Sequence, residues 1–154
     1  MLVHQKITPF LSYVDLADEA AEFYVAVFPD SKIVRKVPGP IGGVLIVEFE
    51  LSGMKFVALN AGQDWKFTEA MSLAVNCESQ EEIDSLWSKL CEGGREIQCG
   101  WLQDKFGMFW QIVPSQLSQW LDSNEPEKIG RMFGSLMQMT KLNIAGLQAA
   151  FDGE

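Results

Sequence analysis

The sequence predicts an α+β protein in which two β-α-β-β-β units follow one another and helices close the chain. Three observations carry this. Extended apolar-alternating runs twice bracket one stretch of helical periodicity, in about 6–60 and again in about 70–114. "GMKFVAL" (Gly53 to Leu59) lies over "GMFWQIV" (Gly107 to Val113) with glycine, methionine and apolar alternation in step, the mark of an internal repeat. From about 115 to 152 the period is helical. The 154 residues are expected to form a single domain.

The elements follow in order. "KITPFLSYV" reads as a strand, and Asp15 as the cap of a helix whose apolar face is Leu16, Ala20, Phe23, Tyr24 and Val27. "PDS" stops that helix; "KIVRKV", "VLIVEFEL" and "MKFVALN" are strands, the last two joined by a tight turn at Ser52-Gly53. After the connector Ala61 to Glu69, "AMSLAV" is a strand, and Ser79 with Glu82 forms a capping box. The helix behind it buries Ile83, Leu86, Trp87 and Leu90, and Gly93-Gly94 end it. "REIQCGWLQD" and "GMFWQIV" complete the second unit around a turn at Asp104 to Gly107. In the tail, Pro126 suits a first helical turn, and Met132, Phe133, Leu136, Met137 and Leu142 make an apolar stripe.

Composition narrows the function classes. A formal net charge of -9 argues against a nucleic-acid partner, which needs a basic face, and against anionic membranes. It leaves open a small-molecule ligand, a cationic one included. No apolar run approaches the roughly 20 residues of a membrane span, and the first ten residues do not read as a signal peptide. Cys77, Cys91 and Cys99 lack metal-binding or redox spacing, which suggests a cytoplasmic protein without disulfides. His4 is the single histidine, so a mechanism that needs two is excluded.

The repeat resembles the vicinal oxygen chelate superfamily of glyoxalases, bleomycin-resistance proteins and extradiol dioxygenases. "ITPFL", "AAEFYVAVFPDSKI", "VEFELSGMKFVALNAG", "KFTEAMSLAVNC", "CGWLQDKFGMFWQIVP" and "LMQMTKL" resemble its PhnB-like branch, often labelled 3-demethylubiquinone-9 3-methyltransferase-like. The resemblance implies a glyoxalase/bleomycin-resistance-like half-barrel arrangement, a cleft and a homodimer. Metal-using members carry His and Glu ligands on the first and last strands of each unit. Counting from the turn glycines and the strand-end valines gives Thr8 or Pro9, Val57, Ala70 and Gln111 as those positions. Only Thr8 and Gln111 carry a donor atom there, so no metal and no cofactor is expected. The methyltransferase label implies S-adenosylmethionine, yet "VDLAD" between the first strand and helix has no glycine to receive it.

What remains is a cleft for a small, partly apolar molecule. Period-two alternation groups Phe109, Gln111 and Val113 against Trp110. The resemblance, by which Gln111 keeps the inward direction of the ligand it replaces, turns the first set into the cleft. The large Met71, Leu73 and Val75 suit the helix side, which leaves Ala70, Ser72 and Ala74 for the cleft. Tyr13, Ser72, Cys99, Trp101, Phe109 and Gln111 are the candidate lining residues; the catalytic residues, if any, are unknown. Asp104 and Lys105 read as turn residues. The alternatives are a metal-independent enzyme, or a structural or regulatory dimer whose cleft its own side chains fill.

Overall fold

The computed structural model describes residues 5–154; the single histidine lies outside them. The chain divides into two compact units, one ending at Lys66 and the other beginning at Phe67.

The first unit contains β1 (Phe10–Tyr13), α1 (Ala17–Val27), β2 (Lys32–Pro38), β3 (Val44–Leu51) and β4 (Met54–Asn60). Its sheet runs β1-β4-β3-β2, with β1 parallel to β4 and the remaining pairs antiparallel. Ser52 and Gly53 both have positive φ, 47° and 88°, as a two-residue hairpin turn requires. Helix α1 covers one face, where Tyr24 stacks on Phe49 and Phe49 on Phe56 at 5.5 Å between the latter rings. Burying side chains of this size contributes about 2–3 kcal/mol each. Lys36 ties the edge strand to the same helix through Asp18 at 2.6 Å and Glu22 at 2.7 Å.

The helix start differs from expectation. Asp15 is exposed, and the cap position falls on Leu16 without a side-chain bond. The first free amide is satisfied from the neighbouring strand: the Ala17 N–H donates to Asn60 Oδ1 at 2.8 Å. Asn60 Nδ2 donates in turn to the Val44 carbonyl at 2.9 Å, fixing that amide.

The second unit repeats the plan with β5 (Leu73–Cys77), α2 (Gln80–Cys91), β6 (Arg95–Glu96), β7 (Trp101–Gln103) and β8 (Phe109–Pro114). The order β5-β8-β7-β6 matches the first sheet, again with the outer pair β5–β8 parallel. The capping box forms in its first half, with Ser79 Oγ accepting from the Glu82 N–H at 3.1 Å, while the Glu82 carboxylate accepts from the Glu78 N–H, one residue before the cap, at 2.7 Å. Ile83, Leu86, Trp87 and Leu90 are buried as the periodicity requires. Met71 precedes β5 and is exposed instead of lying under the helix.

The tail forms α3 (Gln116–Asp122), α4 (Pro126–Leu136) and α5 (Ile144–Asp152). These helices close their own core around Trp120, Met132, Leu136, Leu142, Leu147 and Phe151, and that core includes Val113 of β8. Phe133 and Met137 leave the expected stripe and are exposed. Main-chain bonds anchor the tail to the turn before β7: the Cys99 N–H donates to Met139 O and the Gly100 N–H to Thr140 O, both at 2.8 Å. No described helix is long and apolar enough to cross a membrane.

Candidate functional site

Pairing register assigns the sheet faces. In the first unit Lys36 pairs with Val47, Val47 with Ala58 and Ala58 with Leu11. Since Lys36 bonds α1, this is the helix side, and Tyr13 shares it two residues beyond Leu11. Tyr13, a candidate cleft residue, is therefore buried against the helix and not on the open face.

The open face carries Phe10, Val57, Glu48 and Arg35, which are linked partner by partner across the sheet. A bulge in β2 breaks the register between Ile33 and Arg35, so Val34 and Arg35 together oppose Glu48. A cavity of about 400 Å³ opens here. Val34 and Val57 give it apolar side chains, and Phe49 and Phe56, whose rings lie on the helix side, border it. Gln5, Thr8, Arg35, Glu48 and Lys55 supply its polar groups.

Three of these polar side chains, Arg35, Glu48 and Gln5, are held by hydrogen bonds. Arg35 and Glu48 form a two-pronged pair, Nε to Oε2 at 2.8 Å and Nη2 to Oε1 at 2.9 Å. Hydrogen bonding to Arg35 keeps the Glu48 carboxyl below its ordinary 4.5, so it is ionised at neutral pH. The Gln5 side chain clips the segment before β1 onto β4: Nε2 donates to the Lys55 carbonyl at 3.0 Å, and Oε1 accepts from the Lys55 N–H at 3.1 Å. That clip brings Thr8 to the cavity wall.

In the second unit Trp101 and Ala74 both pair with Gln111, and Gln103 with Phe109. Gln111 Nε2 donates to Ser72 Oγ at 2.8 Å. Ser72, Trp101, Phe109 and Gln111 thus gather on one face, while Trp110 and Ile112 point to the helix side. Phe109 is buried, with the Arg95 guanidinium over its ring at 5.8 Å. Val113 lies two residues beyond Gln111 on the same face, and the tail covers it. Cys99, at φ 66° in the turn before β7, packs against that tail core. None of the six candidate residues lines the 400 Å³ cavity.

The register also corrects the metal positions. Phe10 pairs with Val57 and Ala74 with Gln111; with Gly53 matched to Gly107, Thr8 corresponds to Ser72 and not to Ala70. The count slips because β5 continues past Val75 to Cys77, whereas β1 stops before Val14. The four positions read Thr8, Val57, Ser72 and Gln111: two hydroxyls, an isopropyl group and an amide already bonded to one of the hydroxyls. Among the described residues no three His, Cys, Asp or Glu side chains converge. This donor set does not fit a divalent metal.

The order of strands and helices, twice over, matches known proteins. A family model described as 3-demethylubiquinone-9 3-methyltransferase matches residues 5–113. The PhnB protein from Bacillus cereus is 35% identical, with 71% of this chain and 99% of that chain covered at a TM-score of 0.67.

This chain belongs to the PhnB, or 3-demethylubiquinone-9 3-methyltransferase-like, family.

The fosfomycin resistance protein FosX from Listeria monocytogenes shares the fold at 14% identity and TM-score 0.57, covering 77% of this chain and 97% of that one. Protein PA1353 from Pseudomonas aeruginosa does so at 17% identity and TM-score 0.59, covering 72% of this chain and 98% of that one. Comparison with curated proteins found no match. The family match ends at Val113, so the tail, "LMQMTKL" included, lies outside it. The family description implies a methyl donor, but the link from β1 to α1, Val14 to Leu16, has no glycine, and the first α1 amide is already taken by Asn60. That loop does not fit S-adenosylmethionine in the manner of a dinucleotide-type fold.

Two features here escaped the sequence reading. The cavity in the first unit is lined by both residues of the β2 bulge, Val34 and Arg35, which no residue pattern announced. Asp104 is buried at 3% exposure, where it holds its hairpin together: Oδ1 accepts from the Phe106 and Met108 N–H groups at 2.8 and 3.0 Å, and Oδ2 from Trp110 Nε1 at 2.8 Å. The signal available was D-x-x-G, an Asx-turn pattern.

Proposed function

We propose that this PhnB-family protein binds a small, partly apolar molecule at the open face of its first sheet, without a metal. The supporting observation is the cavity of about 400 Å³, with an apolar wall and a few fixed polar groups. That size and lining fall within the range of small-molecule sites, about 300–1,000 Å³. Binding is favoured over acid catalysis because Arg35 holds the cavity carboxylate, Glu48, below its ordinary 4.5, so it is no proton donor at neutral pH.

A thermal-shift screen of metabolites and aromatic antibiotics, with and without EDTA, tests this. The expected result is a stabilising compound whose effect survives EDTA and is lost in Val34→Trp, which fills the cavity from an exposed position. A shift that EDTA abolishes contradicts the metal-free reading. The proposal extends to a homodimer, supported by the exposure of Phe10 and Val34 on this face; light scattering giving a 17.2 kDa particle would remove that part.

A further inference from the structure

The chain carries a net charge of -9, yet its cavity does not share that sign. Arg35 and Lys55 line it against the one carboxylate of Glu48, a local excess of one positive charge. The next carboxylate on the same face, Glu50, lies opposite both Lys55 and Lys32, 3.8 Å from the latter, and with Lys32 counted the face keeps its excess of one positive charge. Charges elsewhere on the surface are screened over about 8 Å at physiological salt, so the groups at the cavity decide what enters.

The Arg35 geometry adds direction. Glu48 engages Nε and Nη2, which leaves Nη1 outside that pair while the pair itself fixes the guanidinium plane. A planar, pre-oriented cation at the rim of an apolar wall suits an oxyanion whose carbon skeleton lies on Val34 and Val57.

Resting on the binding reading above, we infer that the ligand is an anion: a small carboxylate, or an equivalent oxyanion, carrying an apolar body, with the oxyanion received by Arg35 and Lys55. Glu48 then has two effects. It positions Arg35, and it opposes the ligand's charge.

Three probes with one body and different charge test this: phenylacetate, 2-phenylethanol and 2-phenylethylamine. They are titrated at neutral pH into ¹⁵N-labelled full chain and followed by NMR. Phenylacetate is expected to shift the amides of Val34 and Val57 and to bind about fivefold tighter than the amine. Glu48→Gln should tighten phenylacetate about threefold and weaken the amine, whereas Arg35→Gln should weaken phenylacetate about threefold.

Opposite signs from the two substitutions are not produced by a general loss of fold. If the amine or the alcohol binds at Val34 and Val57 as tightly as phenylacetate, the anion assignment is overturned while the cavity reading survives. If phenylacetate is preferred but Arg35→Gln leaves its affinity unchanged, Arg35 is not the recognising group and the anion site assigned here is overturned. If none of the three shifts these amides, both readings fail.

Discussion

Replacing Asp104 probes the most heavily bonded buried side chain of the second unit. In Asp104→Asn, Oδ1 keeps the Phe106 and Met108 amides, but the new NH₂ faces Trp110 Nε1–H at 2.8 Å, donor against donor. One charge-assisted bond is lost, about 1.5–3 kcal/mol, and that loss includes leaving a buried indole N–H unsatisfied. The expected destabilisation is about 2–3 kcal/mol. Asp104→Ala abandons all three donors; since Phe106 is only half-buried and water can reach its amide, the cost is about 4 kcal/mol, not the full sum. Urea unfolding of both variants, followed by tryptophan fluorescence, reads these values. The cycle with Trp110→Phe should give a coupling of about 1 kcal/mol or more. An Asn variant within about 0.5 kcal/mol of wild type would refute the assignment of Asp104 as the hairpin's fastening, since that is the effect of an ordinary surface change.

Other perturbations have equally definite outcomes. Gly100 sits at φ 81°, and a Cβ there would meet Leu142 Cγ at 2.8 Å, so Gly100→Ala should cost about 2–4 kcal/mol in urea unfolding; a neutral result contradicts the docking of the tail on this turn. Burial pushes the Cys77 thiol up to about 12, helped by Glu82 and Glu78, and the Cys91 thiol to about 11, helped by Glu96. At pH 8 the thiolate fraction is then about one in a thousand or less, and neither should react with Ellman's reagent until the chain unfolds. Arg35 lowers the Glu48 carboxyl from 4.5, so their pair stabilises the fold above that pH and its contribution fades as pH falls through the lowered value. The melting-temperature gap between wild type and Arg35→Gln should therefore be constant from pH 7 to 5 and shrink by pH 3; an unchanged gap at pH 3 removes the pair as its cause.

Much of the architecture was legible because it depends on local chemistry. The Ser79–Glu82 box, the Ser52-Gly53 turn and the buried stripe of α2 are each decided within a few residues. Pairing is not local. Period two says that Leu11 and Tyr13 share a face, but only their partners on β4 say which face, and that is why Tyr13 could be named as a cleft candidate although it lies under the helix. The ligand positions slipped from Ala70 to Ser72 for the same reason, since strand ends do not mark register. The cavity was missed because a bulge is a tertiary event: nothing in "KIVRKV" distinguishes the inserted Val34 from its neighbours. Asn60 capping a helix 43 residues earlier, in place of Asp15, belongs to the same class.

The most direct measurement is an NMR titration of the full chain with the strongest compound from the thermal-shift screen, in buffer containing EDTA. The account predicts saturable shifts concentrated at Thr8, Val34, Lys55 and Val57, unchanged when EDTA is left out. Shifts centred on Ser72 and Gln111 instead, or binding that vanishes with the chelator, would contradict it.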